Sequence, residues 1–275
     1  MRPDDPEREP THRQVAATRL GEGAGRTLDS VVAEAPVALV FNGLSHAVML
    51  ATPGDLEAFG LGFALAEGVI EAASECFDLE VSAASRGWVV EMRIPEPRFR
   101  ALKSRRRAME GRSGCGLCGV DSLDALALDP PRVPPLGFEL DAAVLQRAGE
   151  ALRGRQPLFD RTGGLHAAAW ADAQGTLHEV LEDVGRHNAL DKLIGALARR
   201  GVVGAGPARR VDAVPGFVLM SSRIGFELVH KCAQAGVSAL VAVSAPSSMA
   251  VEAAQRAGLL LVGFSRGASA VRYAP

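Results

Sequence analysis

Aromatic residues are scarce in this chain. Only 5% of its 275 residues are Phe, Trp or Tyr, against 48% hydrophobic residues, so Ala, Val and Leu must fill the core. Cysteine is scarce too. Four in a chain this long do not make a disulfide framework, which points to a reducing cytoplasm. No uninterrupted apolar run reaches the roughly 18 residues of a membrane span. The opening Met1-Arg-Pro-Asp-Asp-Pro-Glu-Arg-Glu-Pro10 has no apolar stretch of the secretory kind. Neither sign of charge dominates: a net charge of −2 gives no bias toward nucleic acid. The sequence reads as a soluble cytoplasmic protein with neither a membrane nor a nucleic acid as partner.

Two of the four cysteines are concentrated in Gly111-Arg-Ser-Gly-Cys115-Gly-Leu-Cys118-Gly119. Glycine lacks a Cβ, so this stretch suits a loop that turns sharply and is approached closely. Upstream lie Arg98, Arg100, Lys103, Arg105, Arg106 and Arg107, a basic run opposed only by Glu110. Positive charge favours thiolate, the reactive form of cysteine. A structural zinc site would need four ligands. The other cysteines, Cys76 and Cys232, are isolated, and no His-x3-His follows. A thioredoxin-like dithiol should open a helix after a strand, whereas a charged helical segment precedes this pair. A sulfur carrier, in which a thiolate accepts sulfur as a persulfide, is the third chemistry open to it.

Residues 1–26 are rich in Pro, Gly and charge and are expected to be a loose tail, with structure beginning near Asp29. Residues 27–110 read as a small α+β domain. Val37–Phe41, Asn42-Gly43 and His46–Ala51 predict a hairpin, and Asp55 is placed to cap a helix carrying Leu56, Phe59, Phe63 and Ala66. Phe77–Val81 and Trp88–Ile94 predict a second strand pair, followed by the basic helix. Residues 111–135 are the cysteine loop and a Pro-rich connector, and 136–275 a larger α/β domain. There Asp141 caps a helix to Arg153, and Leu165–Ala171 with Thr176–Leu181 predict another hairpin. Phe217–Met220, Ala239–Val243 and Leu259–Val262 are short apolar runs of the kind that become parallel strands buried on both faces. Cys232, beside Phe226 and Val229, reads as core, and Cys76 as structural.

Each of those three strands is expected to end in a polar turn: Ser221-Ser222-Arg223, Ser244 to Ser248, and Ser265-Arg266-Gly267. Serine capping accounts for any one of them. Three together, at the strand ends where open α/β sheets bind ligands, favour an anion such as a nucleotide. In Glu182-Asp-Val-Gly-Arg-His-Asn188, Arg186 and His187 stand at a helix start, where their charge opposes the dipole. That placement suggests another duty. His166 could serve as a core histidine or as a proton donor.

Taken together, these stretches resemble the FdhD family, the formate dehydrogenase accessory sulfurtransferases. The resemblance is carried by Gly111–Gly119, Thr162-Gly-Gly-Leu-His-Ala-Ala-Ala-Trp170 and Glu182–Lys192, together with Ser221-Ser-Arg223, Val243-Ser-Ala-Pro246 and Val262-Gly-Phe-Ser-Arg-Gly267. It implies a cytidine deaminase-like α/β core with a smaller N-terminal α+β domain, and a cytoplasmic homodimer. It also implies an activity: sulfur from a cysteine desulfurase passes through a persulfide to the molybdenum or tungsten bis(molybdopterin guanine dinucleotide) cofactor of formate dehydrogenase, the cofactor being a bound substrate. Cys115 matches the persulfide-bearing position and Cys118 the second cysteine. Phe264, Ser265, Arg266, Gly267, Ala268 and Ser269 match the cofactor-binding segment, which Ser221, Ser222, Arg223 and Ser244 would complete. The alternative function is a non-catalytic chaperone that holds the cofactor. Zinc deaminases need a His-x-Glu; none occurs here, and no metal of the protein's own is expected.

Overall fold

The computed structural model describes residues 10–107, 129–204 and 215–275. Cys115 and Cys118 lie outside the described residues.

The first described element corrects the expectation of a loose tail. β1 (His12–Arg19) and β2 (Gly25–Val32) pair antiparallel from His12 opposite Val32 to Arg19 opposite Gly25. Composition concealed this ribbon because it stays largely exposed and shows no buried apolar stripe. Its order comes from the backbone ladder, extended at its base by the Ala33 amide donating to the Thr11 carbonyl.

β3 (Ala35–Phe41) and β4 (Leu44–Ala51) form the expected hairpin, with Asn42 and Gly43 both at positive φ, 47° and 77°. The Asn42 side chain bonds Ile94 twice, accepting from its amide at 2.8 Å and donating to its carbonyl at 3.0 Å. This ties the turn to the second hairpin, β5 (Asp78–Ala84) and β6 (Gly87–Arg93). β3 pairs with β6 in parallel, giving a four-stranded sheet of order β4-β3-β6-β5. α1 (Leu56–Ala66) lies between the hairpins in sequence. Asp55 does precede it, but with φ 54° it leaves the extended conformation that aims a capping carboxylate at the first amides, and its side chain makes no cap bond.

The basic helix is α2 (Glu96–Arg107). Its charge is less free than the sequence suggested. Arg98 pairs with Glu71 at 2.6 Å and Glu75 at 3.1 Å, Arg100 with Glu96 at 2.9 Å, and the Lys103 ammonium sits 4.3 Å from the centre of the Phe99 ring.

The second sheet has the order β12-β11-β10-β9-β7-β8. Its elements follow α3 (Ala142–Arg153), which Asp141 caps by accepting from the Val144 amide at 2.7 Å, and α4 (Pro157–Thr162). They are β7 (His166–Asp172), β8 (Leu177–Asp183), α5 (Arg186–Arg199), β9 (Gly216–Met220), α6 (Phe226–Gln234), β10 (Ala239–Ala242), α7 (Ser248–Ala257), β11 (Leu260–Arg266) and β12 (Ser269–Arg272). β9, β10 and β11 run parallel, as their buried apolar runs predicted, and β7 pairs antiparallel with β9. The third polar turn is corrected: β11 continues through Ser265 and Arg266, and the chain reverses at Gly267 (φ 56°) into β12. Being short and mostly exposed, β12 left no apolar run to read.

Alternation along these strands splits the core. Ala168, Trp170, Val218, Met220, Leu240 and Leu261 face α5, α6 and α7, while Ala167, Ala169, Phe217, Leu219, Val241 and Val262 face α3. α1 packs against α5, and one apolar cluster runs from the four-stranded sheet through both helices into the larger one. The connector at 129–135 therefore separates the sheets in sequence without dividing their core. The fold is mixed α/β.

The α1–α5 contact depends on two glycines. A Cβ on Gly62 would run into the Asp191 carbonyl oxygen, and one on Gly195 into that of Ala58. Backbone on both sides cannot move aside as a side chain would. Gly195→Ala should therefore lose about 3 kcal/mol in urea unfolding, despite alanine's better helix propensity. A stability equal to or above that of the unmodified protein would show that the helices separate at little cost.

Candidate functional site

The segment Glu182–Lys192 joins the end of β8 to the first turns of α5, and most of its polar side chains turn inward. Asp183 is fully buried. It accepts from the Thr52 amide at 3.0 Å, the Gly185 amide at 2.9 Å and the Asn188 side chain at 2.9 Å. Lys192, equally buried, lies 2.7 Å from the Asp183 carboxylate and donates to the carbonyls of Thr52 and Glu182. Asn188 also donates to the Leu50 carbonyl, so the end of β4 is bound to the start of α5. Glu182 accepts from the Leu158 and Phe159 amides and caps α4. Asp191 meets Lys231 at 2.9 Å, and Lys231 also pairs with Glu67. Burial pushes the Asp191 carboxyl up to about 6 against the pull of Lys231.

Arg186 and His187 are left facing outward. Arg186 donates to Glu227, in the first turn of α6, at 2.9 Å, and His187 Nε2 lies 3.0 Å from the same oxygen. Burial alone would raise the Glu227 pKa, but His187 and Arg186 outweigh it and bring it down to about 2. A Cβ on Gly225 would overlap the Glu227 carboxylate as it stands, so a side chain there would displace that carboxylate from Arg186 and His187. The loop after β9 is pinned to the loop after β10: the Ile224 amide donates to the Ala245 carbonyl, and the Ser247 amide to the Ile224 carbonyl. Arg223 is thereby set beside Arg186 and near the Ser247 cap of α7, around an open cavity of about 400 Å³. His166, at the start of β7, is half-buried. Burial, then the nearby Arg186 and Arg223, lower its pKa, so its imidazole is neutral at pH 7. Two guanidinium groups, free amides at a helix start and a neutral imidazole form a setting for an anion.

A second cavity, of about 210 Å³, lies on the other face of the sheet. Its walls are one side of α3, together with Ser221, Val243, Ser265 and Gly267. The expected binding residues are thus divided by the structure. Ser221, Ser265 and Gly267 line this second cavity, and Arg223 lines the first. Ser221 accepts from the Ala167 amide at 2.8 Å and keeps its own proton to donate. Ser222 is buried, its hydroxyl donating to the Arg223 carbonyl. The Ser244 carbonyl accepts from the Phe264 amide. Phe264 is held at φ 53°, a conformation unfavourable for an aromatic residue, at the irregularity in the β11–β12 pairing. Arg266 is exposed and donates to the Val243 carbonyl at 2.8 Å, while Ala268 and Ser269 lie exposed at the turn. Reading the sequence missed the contribution of α3, because nothing in its amphipathic pattern announces a cavity wall.

Cys232 is fully buried in the core. Cys76 is half-buried, its thiol donating to the Asp78 carbonyl, and burial raises the pKa of both. Among the described residues no three His, Cys, Asp or Glu side chains gather as a metal-holding group.

The FdhD/NarQ family model matches residues 32–275. The sulfur carrier protein FdhD of Burkholderia mallei is 48% identical over 261 residues, which cover 93% of this chain and 92% of the relative. That of Chromobacterium violaceum is 48% identical over 262 residues, 94% of each chain. A crystal structure from Desulfotalea psychrophila, described as that of a formate dehydrogenase accessory protein, aligns with a TM-score of 0.72 at 22% identity, covering 97% of this chain and 98% of that one. At that identity the likeness speaks for the fold.

Proposed function

Because the chain belongs to the FdhD/NarQ family, we propose that it serves formate dehydrogenase maturation as a sulfurtransferase working through a cysteine persulfide. One observation carries this reading. Relatives named sulfur carrier protein match the chain along nearly its whole length, and the chain holds the glycine-flanked pair Cys115 and Cys118. The Cys115 thiolate attacks the outer sulfur of a persulfide on a cysteine desulfurase. That sulfur–sulfur bond breaks, the desulfurase thiolate leaves, and Cys115 holds the sulfur. The acceptor is the molybdenum or tungsten bis(molybdopterin guanine dinucleotide) cofactor, bound as a substrate. The strand-end cavities support this part of the reading. Arg186 and Arg223 suit its pyrophosphates, and the walls beside Ser221 and Ser265 suit one of its bases. Cysteine desulfurase and formate dehydrogenase are the proposed partners, in the cytoplasm, with the protein acting as a homodimer.

The test is intact mass spectrometry after incubation with a cysteine desulfurase and cysteine. The protein should gain the mass of a sulfur atom, reversibly under thiol reductant, and Cys115→Ala should gain none. An unmodified protein under conditions where the desulfurase carries its own persulfide would defeat the persulfide reading.

A further inference from the structure

Two exposed surfaces of this chain complement each other. The first is the outer face of the four-stranded sheet. Alternation along β3 buries Val37, Leu39 and Phe41 completely on the core side and turns Pro36, Ala38 and Val40 outward, where solvent-facing strand positions are ordinarily polar. Register sets Leu50 beside Pro36, and Val48 and Val89 on either side of Ala38. Val48 is 61% exposed and Leu50 55%. The face continues into Glu91, beside Val40, and Glu80, opposite Glu91. Like charges directly opposite each other across strands repel, and neither carboxylate has a cationic partner among the described residues. The second surface is the β1–β2 ribbon. Two strands of eight residues reach about 27 Å and are marginal by themselves in water. At the base β2 meets α4, and Val32 lies close to Gly164. Farther out the ribbon carries Leu20, 85% exposed, and Leu28, 71% exposed. Arg26, on the same face as Leu28, is exposed and has no carboxylate partner among the described residues.

We propose that the ribbon is an exchanged arm: in a pair of these chains, each ribbon lies across the outer face of the other copy's four-stranded sheet. The inference rests on the homodimer of the proposed function and names its contact. Leu20 and Leu28 cover Val48, Leu50 and their apolar neighbours, and Arg26 comes to the Glu80–Glu91 pair. A second copy is the occupant because this one chain supplies both halves, an apolar face with an acidic side and an apolar arm with a basic one. A twofold axis makes the contact twice. A stable interface buries about 1,200–2,000 Å² in total, so each arm has to supply only about half of it. Exchange also gives the marginal ribbon the packed face that its own chain leaves it without.

Sedimentation equilibrium of the full chain tests this. The unmodified protein should sediment at twice 28.8 kDa. Leu28→Asp and Val48→Asp should each weaken association at least about hundredfold, since either change strikes both contacts of the pair. Mixed together, the two variants should associate at least about tenfold more tightly than either does alone. The ribbon of Val48→Asp and the sheet of Leu28→Asp are both unaltered and rebuild one contact. Arg26→Glu should weaken association about tenfold by setting a third carboxylate against the acidic pair. Both aspartate positions are exposed within one chain, so far-UV circular dichroism should be unchanged. Should either aspartate variant be unfolded, Leu28→Ser and Val48→Ser, each weakening association about tenfold, take their place. If the unmodified protein is a monomer, the homodimer reading itself fails. If it is a dimer and both variants associate as tightly, the copies meet elsewhere and this inference alone is overturned. Loss in only one of the two variants, or two monomeric variants that do not pair on mixing, overturns the exchange of arms. Unchanged association of Arg26→Glu overturns the pairing of that arginine with Glu80 and Glu91.

Discussion

Formate dehydrogenase matured with the Cys115→Ala variant should contain its metal and pterin, lack the terminal sulfur ligand, and show no activity above that obtained without the protein. The expectation follows from the division of labour proposed above. In that proposal the strand-end cavities recognise the cofactor and the thiol moves the sulfur. No residue lining either cavity is altered by this change, so the variant should still bind GDP within about twofold of the unmodified protein. A sulfur atom bound as a persulfide needs a thiolate on which to reside, and an alanine methyl offers none. The loss is therefore all-or-none rather than graded. Metal and pterin analysis of the client enzyme, sulfur quantified by cyanide release, and turnover with formate give three separate readings. Full activity with Cys115→Ala would make the protein a cofactor holder, the alternative the sequence left open. Loss of GDP binding together with activity would place the cysteine loop in the cofactor site and end the proposed separation.

Some of this arrangement was legible in the sequence because burial leaves a direct signature. β9, β10 and β11 are covered on both faces, so their runs are continuously apolar, and the parallel order followed from the helices between them. Arg186 and His187 drew notice because their charge opposes the dipole of the helix they begin. The structure accounts for the opposition: Glu227 meets both, and Arg186 lines the cavity. Exposed elements left no such trace. β1, β2 and β12 are held by backbone bonds that any side chains allow. The basic run is less free than its sequence alone implies. Glu96 stands four residues before Arg100, a helical pairing visible in the sequence, whereas Glu71 and Glu75 reach Arg98 only through the fold.

Lys192→Met should be the most damaging single change within Glu182–Lys192, by about 3–5 kcal/mol in urea unfolding. The ammonium lies 2.7 Å from Asp183 and carries two backbone carbonyls besides, all out of contact with water. Methionine fills much of the same volume, so the loss is electrostatic rather than a cavity. The Asp183 carboxylate is left buried, with three donors and no counter-charge. Against a typical total of about 5–15 kcal/mol, that is enough to shift the folded population in a cell. Adding Asp183→Asn should recover part of the loss, because the double variant no longer buries an uncompensated charge. Arg186→Ala, six residues earlier, should behave in the opposite way. Its ion pair is partly exposed and Glu227 keeps His187, so stability should change by less than about 1 kcal/mol, while pyrophosphate binding should weaken. If Lys192→Met costs under about 1 kcal/mol at an unchanged urea slope, the network does not hold the two sheets as described. If Arg186→Ala destabilises as much as Lys192→Met, the segment is structural throughout, and the anion site must be built without it.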